Sequence, residues 1–91
     1  GDYVEQLTYL LFLKMADERG GELVPEEYGW KSLGGKDAKA LHRHYSNVLK
    51  HLGRRTGMLG LIFAEARNKI RDPAKLRVLV QDLIGQSDWS G

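Results

Sequence analysis

Apolar side chains recur along this chain at helical spacing. Val4, Leu7, Leu11 and Met15 fall at i, i+3, i+7 and i+11 with Leu10 beside them, which predicts a helix over residues 3–18 whose stripe is turned to the core. Phe12, Leu13 and Ala16 widen that stripe, so the helix is expected to be buried over more than half its circumference. Asp2 and Glu5 form a capping-box-like start, and Gly20-Gly21 supply a stop. Leu41, Tyr45, Val48, Leu49 and Leu52 define one face of a second helix over residues 37–52, with Asp37 as its cap and Gly53 at its end. A third helix is expected over 58–69, on Leu59, Ile62, Phe63 and Ala66. A fourth is expected after the Asp72-Pro73 start signal, with Leu76, Leu79, Val80, Leu83 and Ile84 inward and Gly85 closing it.

Between the first two helices, Pro25, Gly29 and Gly34-Gly35 break the periodicity, yet Leu23, Val24, Tyr28, Trp30 and Leu33 are too apolar for a loose linker. A packed loop is expected there, with Trp30 filling core rather than stacking on a ligand. No stretch alternates as a strand does. The expected fold class is therefore all-α, a small bundle of about four helices with an aromatic-containing packed loop between the first two, in one domain over residues 1–91. An amphipathic helix opening at Gly1-Asp2 and a tryptophan almost at the other end suggest a fragment of a longer polypeptide.

Composition narrows the class. Hydrophobic residues at 42% and charged ones at 29% suit a soluble globular domain rather than a disordered one. The longest apolar run, Leu10 to Leu13, is far short of a membrane span, and no secretory signal pattern is present. The absence of cysteine excludes disulfide and thiolate chemistry and fits a cytoplasmic location. The net charge of +2 conceals a division: residues 1–30 carry seven acids against Lys14 and Arg19, a balance of −5, whereas residues 31–91 carry twelve Lys/Arg against five acids, a balance of +7.

Candidate chemistry is thin. Ser32, Ser46, Ser87 and Ser90 stand in no nucleophile motif, and the acidic pairs Asp17-Glu18 and Glu26-Glu27 read as solvated. His42, His44 and His51 share a helix without the i, i+4 spacing of a helical zinc site, so they read as surface histidines. The glycine-rich stretch Gly53 to Gly60 lacks the lysine of a phosphate loop and reads as a connection between helices. No catalytic, cofactor or metal residue is assigned. The basic clusters are the informative feature: Lys50, Arg54 and Arg55 at one junction, and Arg67, Lys69 and Arg71, followed by Lys75 and Arg77, at the next. Such side chains neutralise backbone phosphates largely without regard to sequence. Lys50, Arg54, Arg55, Arg67, Lys69 and Arg71 are accordingly the candidate DNA-phosphate contacts.

The stretch from Asp2 to Glu18, DYVEQLTYLLFLKMADE, resembles the opening helix signature of type I restriction–modification DNA methyltransferase subunits. Later elements follow in the same order: Pro25 to Trp30 and Leu33, then Leu59, Ile62-Phe63 and Asn68-Lys69-Ile70, then Asp72-Pro73 with Lys75-Leu76, and finally Asp88-Trp89. The resemblance covers nearly the whole chain. It implies a helical N-terminal domain, ahead of a Rossmann-like domain that binds S-adenosylmethionine and methylates adenine N6 in DNA. That cofactor motif and the catalytic motif match nothing here, so the chain itself is expected to be non-enzymatic and without cofactor. The resemblance further implies a role in closing the enzyme around DNA and in assembly with the specificity subunit and the restriction subunit. Two other readings are open: a docking module that never touches DNA, and an unrelated helical DNA-binding domain of helix-turn-helix type.

Overall fold

The computed structural model describes residues 2–20 and 23–87, with the side chains of 3–20 and 23–83. Four α-helices are built in chain order: α1 (Asp2–Glu18), α2 (Ala38–Gly53), α3 (Met58–Ile62) and α4 (Pro73–Ser87). Two 3₁₀ turns, Glu26–Tyr28 and Trp30–Leu33, occupy the connection after α1, and no strand occurs among the described residues. The Cα radius of gyration is 12.3 Å, against about 12 Å for a compact domain of this length. The all-α bundle expected from the sequence is what forms.

Helix α2 lies at the centre. Its start is fixed by the Asp37 carboxylate, which accepts from the Ala40 N–H at 2.8 Å. Leu41, Tyr45, Val48, Leu49 and Leu52 are all buried, as their spacing requires. Against this face pack Leu76, Leu79, Val80 and Leu83 of α4, whose first turn is held by Asp72 accepting from the Ala74 N–H at 2.9 Å. Val24, Trp30 and Leu33 close the same core from the connecting segment, so Trp30 is indeed filler. Phe63 sits inside it, 5.4 Å from the ring of Tyr9 and edge-on to Phe12 at 5.6 Å.

Three expectations require correction. Of the wide stripe expected on α1, Leu10, Leu13 and Ala16 are buried and Leu7 and Phe12 half-buried, but Val4, Leu11 and Met15 are exposed; Gln6 is buried and Tyr9 half-buried as well. The helix is apolar around most of its circumference, and what selects the inward side is polar as well as apolar. Gln6 is fully buried, its Oε1 accepting from the Tyr45 hydroxyl at 2.7 Å and its Nε2 donating to the Arg67 carbonyl at 2.9 Å.

The third helix does not reach residue 69. It ends at Ile62, the chain turns through Phe63 to Glu65, and residues 66–72 run without regular structure. Glu65 takes a positive φ of 60°, which a continuing helix forbids. Finally, neither Gly53 nor Gly85 acts as a helix stop. Helix α4 runs past Gly85, and α2 includes Gly53 and is capped by Arg54. Gly53 is needed for another reason, since a Cβ there would stand 2.7 Å from the Phe63 carbonyl oxygen. The proposed Asp2 cap, the Ile84 side chain, Gly21 and the Asp88-Trp89 match lie outside the described residues or side chains.

Candidate nucleic-acid interface

Residues 38–64 contain five Lys/Arg and not one acid. Four of the five, Lys39, Arg43, Lys50 and Arg54, are separated by four, seven and four positions, which places them on one face of α2. That face is opposite Leu41, Tyr45 and Leu52, and all four side chains are exposed. At 1.5 Å per residue the stripe is about 22 Å long. The helix itself carries no carboxylate; Glu27, from the first 3₁₀ turn, lines a hollow with Lys50 and Arg54.

The irregular segment 66–72 runs along one flank of this stripe, on the side marked by His42 and Ser46. Its inward positions are bonded to the helices. Asn68 Nδ2 donates to Ser46 Oγ at 2.9 Å and to the His42 carbonyl at 3.3 Å, while Asn68 Oδ1 accepts from the Ile70 N–H at 3.0 Å. His42 Nε2 lies 2.6 Å from the Ile70 carbonyl, an acceptor only, so that nitrogen carries the proton. Gln6 holds the Arg67 carbonyl from the α1 side. Burial pushes the Tyr45 phenol far above its usual pKa, with Tyr9 adding to the effect, so Tyr45 stays neutral and keeps donating to Gln6. Ile70 is buried and Ala66 and Asn68 are half-buried, whereas Arg67, Lys69 and Arg71 are exposed. A side-chain lattice from two helices thus fixes a backbone that presents three cations outward at alternate positions.

Sequence reasoning found two basic clusters, and the structure shows their relation. Lys50 and Arg54 are the far half of the α2 stripe, and Arg67, Lys69 and Arg71 form its flank. Lys39 and Arg43 complete the stripe; their i, i+4 spacing, repeated by Lys50 and Arg54, was the signal. Lys75 joins through a shallow hollow shared with Lys69 and Arg71. Arg55 is exposed and follows the helix, in the turn where its carbonyl packs on Gly60. Arg77 faces another hollow, with Leu33 and Lys36. Asp17 and Glu26 line a hollow at the end of α1, whereas Glu27 and Asp72 line hollows beside the basic residues.

The histidines are not loose surface groups. His44 Nε2 is 2.8 Å from Ser32 Oγ, and Ser32 in turn donates to the Gly29 carbonyl at 2.6 Å. The serine proton is therefore committed, His44 is the donor in the pair, and the arrangement cannot activate Ser32 as a nucleophile. Burial lowers the His44 pKa, and the Lys36 charge lowers it further. His51 stacks on Tyr28 with ring centroids 4.0 Å apart. Among the described residues no group of three or more His, Cys, Asp or Glu converges as a metal site, and no helix is long and apolar enough to cross a membrane.

No family model matches the chain. Similarity to individual proteins is nevertheless extensive. The chain is 34% identical, over 97% of its length, to the type I restriction enzyme StySPI methylase subunit of Salmonella potsdam. It is 33% identical over the same share to the EcoKI methylase subunit of Escherichia coli strain K12, and 33% identical to the StySJI methylase subunit of Salmonella typhimurium. In each case it spans only 17% of the relative's own length. Over nearly every residue, then, this chain is a counterpart of the N-terminal portion of type I restriction enzyme methylase subunits, as its helix signature implied.

Proposed function

We propose that this chain is the non-catalytic, DNA-clamping domain of a longer S-adenosylmethionine-dependent adenine-N6 methyltransferase subunit. It also takes part in assembly with the specificity subunit of the same restriction–modification system, with the restriction subunit as a further partner and the cytoplasm as the place of action. One observation carries the DNA reading. The acid-free stripe of Lys39, Arg43, Lys50 and Arg54 adjoins a segment, rigidly bonded to α1 and α2, that turns Arg67 and Arg71 outward. Preorganised cations make phosphate contacts without first losing backbone entropy, so such a surface clamps DNA without reading it. Sequence reading and methyl transfer fall to other parts of the enzyme. The relatives favour this reading over an unrelated helical DNA-binding module.

The test is charge reversal in the complete methylase subunit together with its specificity subunit. Arg67→Glu/Arg71→Glu is expected to weaken duplex DNA binding by at least about tenfold at moderate salt. Lys31→Glu, on the acidic side of the molecule, should leave it unchanged. Unaltered DNA affinity accompanied by failure of the specificity subunit to co-purify would instead establish the docking module that never meets DNA.

A further inference from the structure

Helix α1 is apolar around most of its circumference, and among the described residues only part of it is packed. Val4, Leu11 and Met15 lie across the helix from Gln6 and Leu13, at 63%, 38% and 53% exposure, with half-buried Leu7 between that row and Leu10. The contrast with α2 is sharp, since the face of α2 opposite its core is wholly polar and basic. A helix that is apolar around most of its circumference belongs between two packed layers rather than on a surface. The steps of three and four between Val4, Leu7, Leu11 and Met15 are those of a seam that receives another helix.

The chemistry of that row also bears on the kind of neighbour. Three aliphatic side chains and a methionine, bordered by Thr8, Lys14 and Glu18, make an apolar row with the character of a lasting contact rather than of a transient one. The relatives are nearly six times the length of this chain, which is 17% of each. A neighbour in the same polypeptide stays at high effective concentration, which no separate subunit matches. We infer that the Val4–Leu7–Leu11–Met15 face of α1 is covered by an apolar helix from another part of the same methylase subunit. The inference rests on the chain being one part of such a subunit and is independent of DNA contact.

Two methionines give an internal comparison: Met15 on this face is 53% exposed, and Met58 on α3 is 52% exposed. In the complete native subunit, peroxide oxidation followed by mass spectrometry should find Met15 at least about tenfold slower than in the urea-unfolded subunit, because sulfur oxidation follows exposure. Met58 reports that oxidant reaches the domain. Leu11→Asp should return Met15 towards its unfolded rate, whereas Leu11→Ile should keep it protected. Oxidation of Met15 in the native subunit within about twofold of the unfolded rate would overturn the inference. Protection that rises with protein concentration would point to a second copy, and protection that needs the specificity subunit would point to that partner. Either would equally overturn it. None of these outcomes alters the charge-reversal test, so the two proposals fail separately.

Discussion

Gln6 shows how one side chain can join the core to the basic surface. Both ends of its amide are used: one accepts from Tyr45 on α2, and the other donates to the backbone of Arg67. Gln6→Leu would leave a buried phenol and a carbonyl without partners, at about 1–3 kcal/mol of stability by urea unfolding. It should also loosen the 66–72 segment, seen as faster amide exchange at Ile70. His44 gives a pH signature. Its pKa is lowered in the folded chain by burial and by Lys36, so the unfolded chain binds the proton first as pH falls. The stability that neutral His44 contributes is therefore present above its unfolded pKa of 6.5 and is lost as pH drops below that value. The difference in unfolding free energy between wild type and His44→Asn should shrink from pH 7.5 to pH 5.5, and a constant difference would contradict the assignment. Neither role was legible beforehand, because a lone Gln or His on a helix carries no mark of the distant carbonyl or hydroxyl it will meet.

At the level of elements, what could be read depended on how amphipathic each helix was. Helix α2 has one apolar face and one basic face, so its orientation followed from spacing alone, and Asp37 and Asp72 marked two helix starts correctly. Helix α1 is apolar around most of its circumference, so periodicity identified the helix and included buried Leu10, Leu13 and Ala16, but could not show that Val4, Leu11 and Met15 stay exposed. The early end of α3 was hidden for a different reason. Leu59, Ile62, Phe63 and Ala66 keep helical spacing, yet Asn68 and Gln6 offer the backbone better partners than a further turn would. The connection into α3 depends on close approach. A Cβ on Gly60 would fall 1.9 Å from the Arg55 carbonyl oxygen, so the backbone must move to admit it. Gly60→Ala should therefore cost about 1–3 kcal/mol. By calorimetry that is roughly 4–8 °C in Tm for each kcal/mol.

Across the described residues, charge is unevenly spread: Lys/Arg line α2 and the segment beside it, and acids are concentrated at the end of α1 and in the first 3₁₀ turn, where Glu27 shares a hollow with Lys50 and Arg54. The sequence revealed this division as a numerical imbalance between residues 1–30 and the remainder. It could not reveal that residues 39–54 and 67–71 lie side by side, because that adjacency depends on bonds between residues 22 to 61 positions apart. The central claim is that this joined surface meets DNA phosphates. It is tested most directly by the salt dependence of duplex binding by the complete methylase subunit with its specificity subunit, wild type against Arg43→Gln/Arg54→Gln/Arg67→Gln/Arg71→Gln. Each phosphate that the variant leaves unneutralised should reduce the slope of log K against log salt by about 0.9, so a reduction of roughly three to four is predicted. Parallel lines for the two proteins would contradict the account.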